Sequence, residues 1–296
     1  MTKISFLRKR MHDAYQSNNL DQAASLGEVL IKEHTAQPTS PGLSNDLYNL
    51  ALVYDELDRL DKAAALYTES IYYAPASDYE ALAVRSMNLG GVLARMGGLE
   101  IAHHFYIQAR HISKHYLGEH HQVYADALYN LANLVAQTNN TSTAQALHEE
   151  ALAIREKSGN SADILNSLHS LAFIHEENGD YKKAASYGEA ALAQATGTDY
   201  ARACKYLAEL YETTSQHKKA LDMYTLVLDK ISIIGCTTDD YMAILHRKEN
   251  LATDANDTQL QANANALKGA SQAINPQKLS ANTKFTVKQN RHPLQL

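Results

Sequence analysis

The chain has few residues of the kinds that disulfide-rich and membrane proteins need. Its 296 residues include no tryptophan, five prolines and two cysteines, Cys204 and Cys236. Two cysteines are too few for a disulfide framework, and Cys204 lies on the predicted packed side of its helix, so we expect a buried thiol there. No window is apolar enough to span a membrane, and the charged first ten residues lack the apolar stretch of a signal peptide. We therefore expect no membrane insertion and a cytoplasmic location.

The charge balance and the aromatic residues narrow the class of protein further. The net charge is -6, whereas a generic nucleic-acid binder needs a concentrated basic face for phosphate contacts. We therefore predict no nucleic-acid partner. Tyrosine outnumbers phenylalanine 18 to 4. This ratio suits helices whose aromatic rings are half-buried while their hydroxyl groups reach the rim.

One spacing recurs along the chain and predicts its fold. A small residue is followed twelve positions later by an alanine, and successive pairs start 36 to 42 residues apart. Such a period indicates stacked supersecondary units. Small residues at the crossing point allow two antiparallel helices to approach to roughly 8–10 Å. The pairs are Ala51 with Ala63, Gly90 with Ala102, Ala132 with Ala144, Ala172 with Ala184, Ala208 with Ala220, and a degenerate first pair of Met11 with Ala23.

One unit carries a family resemblance. The segments 117–132 (LGEHHQVYADALYNLA) and 150–157 (EALAIREK), with Ala144 between them, resemble a tetratricopeptide repeat of the long, kinesin-light-chain-like type. Weaker copies extend over roughly residues 5–230. The sequence departs from the family pattern at Gln122, where a proline is usual, and at Gly188, where an aromatic is usual. The first unit lacks the Asn-Leu-Ala signature, so we expect it to be a divergent cap.

The resemblance implies an all-α fold, an α-α superhelix or tetratricopeptide repeat solenoid. It would have about five good helix-hairpin repeats, a divergent N-terminal repeat and a C-terminal capping helix. The predicted solenoid covers residues 1-252, with repeats at roughly 5-35, 44-74, 82-115, 123-157, 163-195 and 200-231 and the capping helix at 239-252. Residues 253-296 are rich in polar residues, with basic residues in excess of acidic ones, and are expected to form a disordered basic tail.

Polar residues on the first helix of each unit are the candidate binding site. A position two before the small residue points about 200° away from it, and therefore towards the concave face. Asparagine dominates that stripe, and its amide offers the donor and the acceptor that a peptide backbone needs. In the family, an asparagine at the places of Asn49, Asn88 and Asn130 commonly holds the main chain of a bound peptide. Ser170 and Tyr206 depart from this pattern. The predicted peptide-binding residues are Asn45, Asn49, Asn88, Arg95, Asp126, Asn130, Asn133, Asn166 and Arg202.

A structural role for the asparagines is the alternative. They can form a hydrogen-bond ladder that joins successive repeats and binds no ligand. A clamp for a C-terminal carboxylate is not expected, because uncharged residues stand where the family's clamps place basic ones. Those residues are Tyr48, Met87, Tyr129 and His169.

Six histidines between His103 and His121 are the other candidate for chemistry. His104, His111 and His115 recur along one helical face, where imidazoles one turn apart can share a metal. No cysteine lies nearby, and His121 matches a loop histidine of the family, so we expect solvated or packing histidines, with no metal and no cofactor.

The sequence therefore predicts a non-catalytic scaffold or adaptor that binds a peptide segment of a protein partner in its concave groove. No catalytic triad order or nucleotide-binding loop is present in the sequence, so we expect no enzyme. A peptide-sensing regulatory receptor is the first alternative. A metal-binding or enzymatic role through the histidine cluster is the second.

Overall fold

The described part of the molecule consists of paired helices. The computed structural model describes residues 2–35, 42–138 and 140–234, with residues 243–244, 246–248 and 251; at residues 35 and 229–234 only the helical backbone is described. Within these residues there is no strand, which confirms the all-α prediction. The helices are α1 (Lys3–Gln16), α2 (Leu20–Thr35), α3 (Leu43–Glu56), α4 (Leu60–Tyr72), α5 (Tyr79–Arg95), α6 (Leu99–Ile112), a π-helical turn (Ser113–Leu117), α7 (Gln122–Ala136), α8 (Thr141–Ser158), α9 (Ser161–Glu177), α10 (Tyr181–Gln194), α11 (Gly197–Thr213) and α12 (His217–Ile234).

The described residues fall into two compact units. The first ends at Ser158 and contains the helix pairs α1/α2, α3/α4, α5/α6 and α7/α8. The second begins at Gly159 and contains α9/α10 and α11/α12. In the first unit, α2 packs on α3, α4 on α5 and α6 on α7, and in the second unit α10 packs on α11. Helix α5 also contacts α7, the first helix of the next repeat. Contacts restricted to adjacent repeats are typical of repeat proteins.

The small residues lie where the two helices of a pair cross. Every alanine of the predicted pairs is fully buried. A Cβ atom added at Gly90 would lie 2.9 Å from Cε1 of Tyr106 and 3.3 Å from the carbonyl oxygen of Ala102. Tyr67, Tyr106 and Tyr224, one turn after the second alanine, are buried more deeply than the half-buried aromatic rings that the composition suggests. The spacing therefore marks the closest approach of the paired helices.

Packing explains the missing aromatic at Gly188. A Cβ atom there would lie 2.7 Å from Cδ2 of Leu207 and 3.2 Å from Cε1 of Tyr206. Both side chains belong to α11 and occupy the space that an aromatic at position 188 would need. Tyr206 departs from the asparagine stripe at a position where its ring packs against this glycine.

One buried carboxylate of the second repeat contacts both helices of the divergent first repeat. Arg8 of α1 donates from Nε and Nη2 to the two carboxylate oxygens of Asp46 on α3, both at 2.7 Å. Nε2 of the buried His34 lies 2.7 Å from Oδ2 of the same carboxylate. The hydrogen bond to Asp46 raises the pKa of Arg8, although burial opposes it. A planar guanidinium fits a carboxylate in this two-pronged way, which fixes α1 against α3.

The turn between the two helices of a pair contains a left-handed residue in five of the pairs. A positive φ there allows the chain to reverse within a few residues. These residues are Asn18 (φ 57°), Asp58 (58°), Gly97 (86°), Gly179 (75°) and Ser215 (56°).

Part of the predicted capping helix 239-252 falls within the described residues. Residues 243–244, 246–248 and 251 are helical. Ile244 and Leu251 are buried in the core of the last repeat, and Nη1 of Arg247 lies 2.8 Å from Oε1 of Glu209. These contacts agree with a helix that covers the last repeat. The predicted tail, residues 253-296, lies outside the described residues. None of the described helices combines the length and hydropathy that crossing a lipid bilayer requires.

Candidate functional site

Asn45 lies on α3 and faces the next repeat. Its Oδ1 accepts a hydrogen bond of 2.6 Å from Nη2 of Arg85 on α5, forty residues later. Arg85 is fully buried, donates to the carbonyl oxygen of Ser70 at 3.2 Å, and places its guanidinium 5.6 Å from the centre of the Tyr48 ring. Asn45 thus satisfies a buried cation, which would be costly to leave without an acceptor.

Asn49 and Asn88, two of the three asparagines that the family resemblance singled out, are also engaged in interactions. Nδ2 of Asn88 donates to the hydroxyl oxygen of Tyr48 at 3.0 Å. Burial raises the pKa of Tyr48, so its hydroxyl stays protonated at neutral pH. Asn49 is buried and has interactions of its own. The amide of Asn88 therefore connects α5 to α3, while its Oδ1 accepts no hydrogen bond from the described residues.

Arg95, at the end of α5, forms ion pairs with two aspartates of the preceding repeat. It donates from Nη1 to Asp55 and from Nη2 to Asp58. Asp55 is buried, so its charge requires this partner. Arg95 therefore fixes the end of α5 to the end of α3.

Asp126 on α7 belongs to a buried ion pair. Its Oδ1 accepts a hydrogen bond of 2.7 Å from Nη2 of Arg155 at the end of α8, and the Arg155 side chain is fully buried. The guanidinium lies 4.5 Å from the centre of the Tyr129 ring, which packs edge-on against His148 with centroids 5.2 Å apart. Burial, and then the charge of Arg155, lowers the pKa of His148 to about 4. This cluster holds α7 against α8.

Asn130 and Asn133 differ from the other predicted residues of the first unit. Both are half-buried on α7, and neither hydrogen-bonds to any residue that the structure describes. They are three positions apart, so their side chains share one face of the helix. Helix α7 packs beside α5, which carries Asn88. Their amides can therefore meet a ligand on the face that α5 and α7 form.

The remaining two predicted residues belong to the second unit. Asn166 is half-buried on α9, where its backbone carbonyl accepts a hydrogen bond of 3.0 Å from Oγ of Ser170. Arg202 is exposed on α11 and pairs with Asp199. Burial, and then the charge of Arg202, lowers the pKa of His169. Phe173 on α9 is 58% exposed.

The histidine cluster does not assemble a larger metal centre. In the described ranges, no three side chains of the His, Cys, Asp and Glu types come together as metal ligands. His121 precedes α7 and accepts a hydrogen bond of 3.3 Å at Nδ1 from the backbone N–H of Val123. This contact gives the loop histidine the structural role that the sequence predicts.

Sequence reasoning missed two buried arginines, Arg85 beside Tyr48 and Arg155 beside Tyr129. The repeat period could have pointed to Arg85. Three hydrogen-bonded pairs are each separated by forty residues: Asn45 and Arg85, Tyr48 and Asn88, and Asp55 and Arg95. A polar pair separated by one period indicates contact between adjacent repeats. Arg155 follows no such spacing, since it comes from the second helix of its own pair.

Comparisons with known proteins agree with the repeat fold. The tetratricopeptide repeat family model matches residues 80–157 and 163–230. No curated protein shows significant similarity to the sequence.

Several solved structures share the fold. BtubC (BKLC) from P. vanneervenii is 18% identical, with 95% of this chain and 97% of that chain covered and a TM-score of 0.57. A putative kinesin light chain from P. anserina, with nearly identical TPR-like repeats, is 19% identical over 64% of this chain and 95% of that chain, with a TM-score of 0.55. A Rap protein complexed with competence and sporulation factor is 14% identical over 91% of this chain and 74% of that chain, with a TM-score of 0.56. The repeat spacing, the paired helices and these matches together show that the chain belongs to the tetratricopeptide repeat family.

Proposed function

We propose that the chain is a non-catalytic scaffold or adaptor that holds a peptide segment of a protein partner on the face formed by α5 and α7. Tetratricopeptide repeats indicate a protein–protein interaction scaffold, and such solenoids are typically not enzymes. The observation that carries the finer proposal is the pair of uncommitted amides, Asn130 and Asn133, on one face of α7.

The chemistry of that face suits an extended backbone. Each asparagine presents a donor and an acceptor, which match the N–H and C=O groups of a peptide. Asn88 can add an acceptor through Oδ1 while its Nδ2 holds Tyr48. In this proposal Asn45, Asn49, Arg95 and Asp126 support the face through their contacts inside the unit. Asn166 and Arg202 are proposed to contact a partner on the second unit.

A selection experiment with random peptides tests the proposal. Peptides are selected from a random library on the immobilised full-length chain, and their affinities are measured by isothermal titration. Unsatisfied buried peptide groups cost about 1–3 kcal/mol each, so Asn130→Ala with Asn133→Ala should weaken binding at least about tenfold. The matched control removes two exposed amides from second helices, Gln108→Ala with Gln194→Ala, and should leave affinity unchanged. Equal affinity of both double variants for every selected peptide would refute the proposed face.

A peptide-sensing receptor is the alternative, and the shared fold with a Rap protein solved in complex with a factor supports it. A sensor must differ in conformation between its free and bound states. Small-angle scattering with and without a selected peptide separates the two functions. A change in radius of gyration on binding supports a sensor, and an unchanged radius supports a scaffold.

A further inference from the structure

Two exposed histidines meet at the end of α6. The ring centroids of His111, in the last turn of α6, and His115, in the π-helical turn, are 4.3 Å apart, with the ring planes at 62°. Both side chains are exposed, and neither has a hydrogen-bond partner within the part of the chain that the structure describes. His111 and His115 do not belong to the proposed interaction face of α5 and α7.

The π-helical turn brings the two rings into line. Residues 113–117 form it, and the N–H of Gly118 closes it with a bond of 3.0 Å to the carbonyl oxygen of Ser113. An α-helix advances about 100° per residue, so a residue four positions on lies about 40° past a full turn. A π-helical turn contains more residues and advances less per residue. Four steps across the junction therefore come close to one full turn, which places His115 almost directly above His111.

We propose that His111 and His115 form a two-imidazole chelate for a divalent transition-metal ion, with preference for Cu²⁺ or Ni²⁺ over Zn²⁺. A metal about 2.1 Å from an imidazole nitrogen lies roughly 3.2 Å from the ring centroid. When the nitrogen–metal–nitrogen angle is 90°, the two ring centroids are about 4.5 Å apart. At the tetrahedral angle they are about 5.2 Å apart. The observed 4.3 Å is close to the right-angled arrangement, which square-planar and octahedral ions use.

The surrounding charges permit a cation at this position. Lys114 lies between the two histidines in sequence, but its Nζ pairs with Oε1 of Glu119 at 3.0 Å and lies 5.7 Å from the centre of the Tyr124 ring. Arg110 is the other neighbouring cation, and it is half-buried. No third metal ligand joins the pair among the described residues, so water or a donor from a binding partner would complete the coordination.

Titration of the full-length chain with NiSO₄, CuSO₄ or ZnSO₄ in a chelator-free buffer tests the site. We expect one Ni²⁺ or Cu²⁺ per chain, bound more tightly than Zn²⁺. His111→Ala or His115→Ala should weaken binding at least about tenfold, since second ligands of a chelate contribute strongly. The matched control, His103→Ala with His104→Ala, removes two exposed histidines from the same helix and should leave affinity unchanged.

Spectroscopy on the Cu²⁺ complex identifies the ligands directly. The electron paramagnetic resonance spectrum should show nitrogen coupling in the wild type, and this coupling should be lost in the His111→Ala, His115→Ala double variant. Circular dichroism checks that the variant remains folded. Retention of the nitrogen coupling in the folded double variant would place the metal elsewhere, for instance on His120, and would overturn the proposal. Equal affinity of the wild type and both single variants for Ni²⁺ would overturn it as well.

Discussion

The side-chain amide of Asn88 donates a hydrogen bond of 3.0 Å to the hydroxyl oxygen of Tyr48, forty residues earlier in the chain. The two residues lie on the first helices of adjacent repeats, α3 and α5. The Tyr48 ring is fully buried, so its hydroxyl needs a partner inside the fold. An asparagine that the family pattern associates with ligands thus also joins two repeats.

This contact predicts a stability effect at Asn88. Asn88→Ala should lower the free energy of unfolding by about 1–3 kcal/mol, because the buried Tyr48 hydroxyl loses its partner. Asn133→Ala, which breaks no hydrogen bond to a described residue, should change it by less than about 0.5 kcal/mol. Urea denaturation measures both. A double-mutant cycle with Tyr48→Phe should show coupling, and strictly additive effects of the two substitutions would contradict the contact.

The helix crossings predict a second effect. Ala132 is fully buried, so Ala132→Leu should force α7 and α8 apart and cost about 1–3 kcal/mol. The same substitution at the neighbouring Asn133 should cost much less, because that side chain points away from the crossing. Thermal denaturation of the two variants provides the comparison. Equal melting temperatures would show that Ala132 does not lie at the point of closest approach.

The ion pairs of the two units should differ in strength according to burial. Asp126→Ala removes the ion pair of the buried Arg155 with Asp126 and should cost about 3–5 kcal/mol. Asp199→Ala removes the partner of Arg202, where both side chains are substantially exposed, and should cost at most about 1 kcal/mol. Chemical denaturation in low and high salt measures both. A larger loss from Asp199→Ala than from Asp126→Ala would contradict the assigned roles.

His148 should make stability depend on pH. Its pKa of about 4 in the folded chain lies below the ordinary value of about 6.5, so between these values only the unfolded chain binds the proton. Stability should therefore fall as pH decreases from about 6.5 to about 4, by up to about 3 kcal/mol from this group. His148→Phe keeps a ring against Tyr129 and removes the titration.

The measurement is the difference in urea midpoint between pH 7.5 and pH 5. This difference should shrink in His148→Phe and stay unchanged in His104→Ala, since His104 is exposed. An identical pH dependence of the wild type and His148→Phe would show that the buried imidazole does not contribute.

The sequence alone determined where the two helices of each pair cross. Ala51 with Ala63 and the later pairs predict where helices cross, because a helix has a constant rise and rotation per residue. The pattern also places tyrosines such as Tyr67 and Tyr106 one turn after the second alanine, and both are buried. Both inferences depend only on positions within one helix pair.

Only the tertiary structure decided which polar residues are committed to the fold. Asn88 and Asn130 stand in the same Asn-Leu context, yet Asn88 bonds to Tyr48 and Asn130 bonds to no described residue. Asn88 reaches Tyr48 of the preceding repeat, which offers a hydroxyl. The corresponding residue in the repeat before Asn130 is Met87, which has no hydroxyl. Likewise, a backbone hydrogen bond between Gly118 and Ser113 closes the π-helical turn that aligns His111 with His115. No spacing of apolar residues in the sequence predicts this turn. Hydrogen-bond partners depend on which side chains of the neighbouring helix come within about 3 Å, and that distance is set by packing.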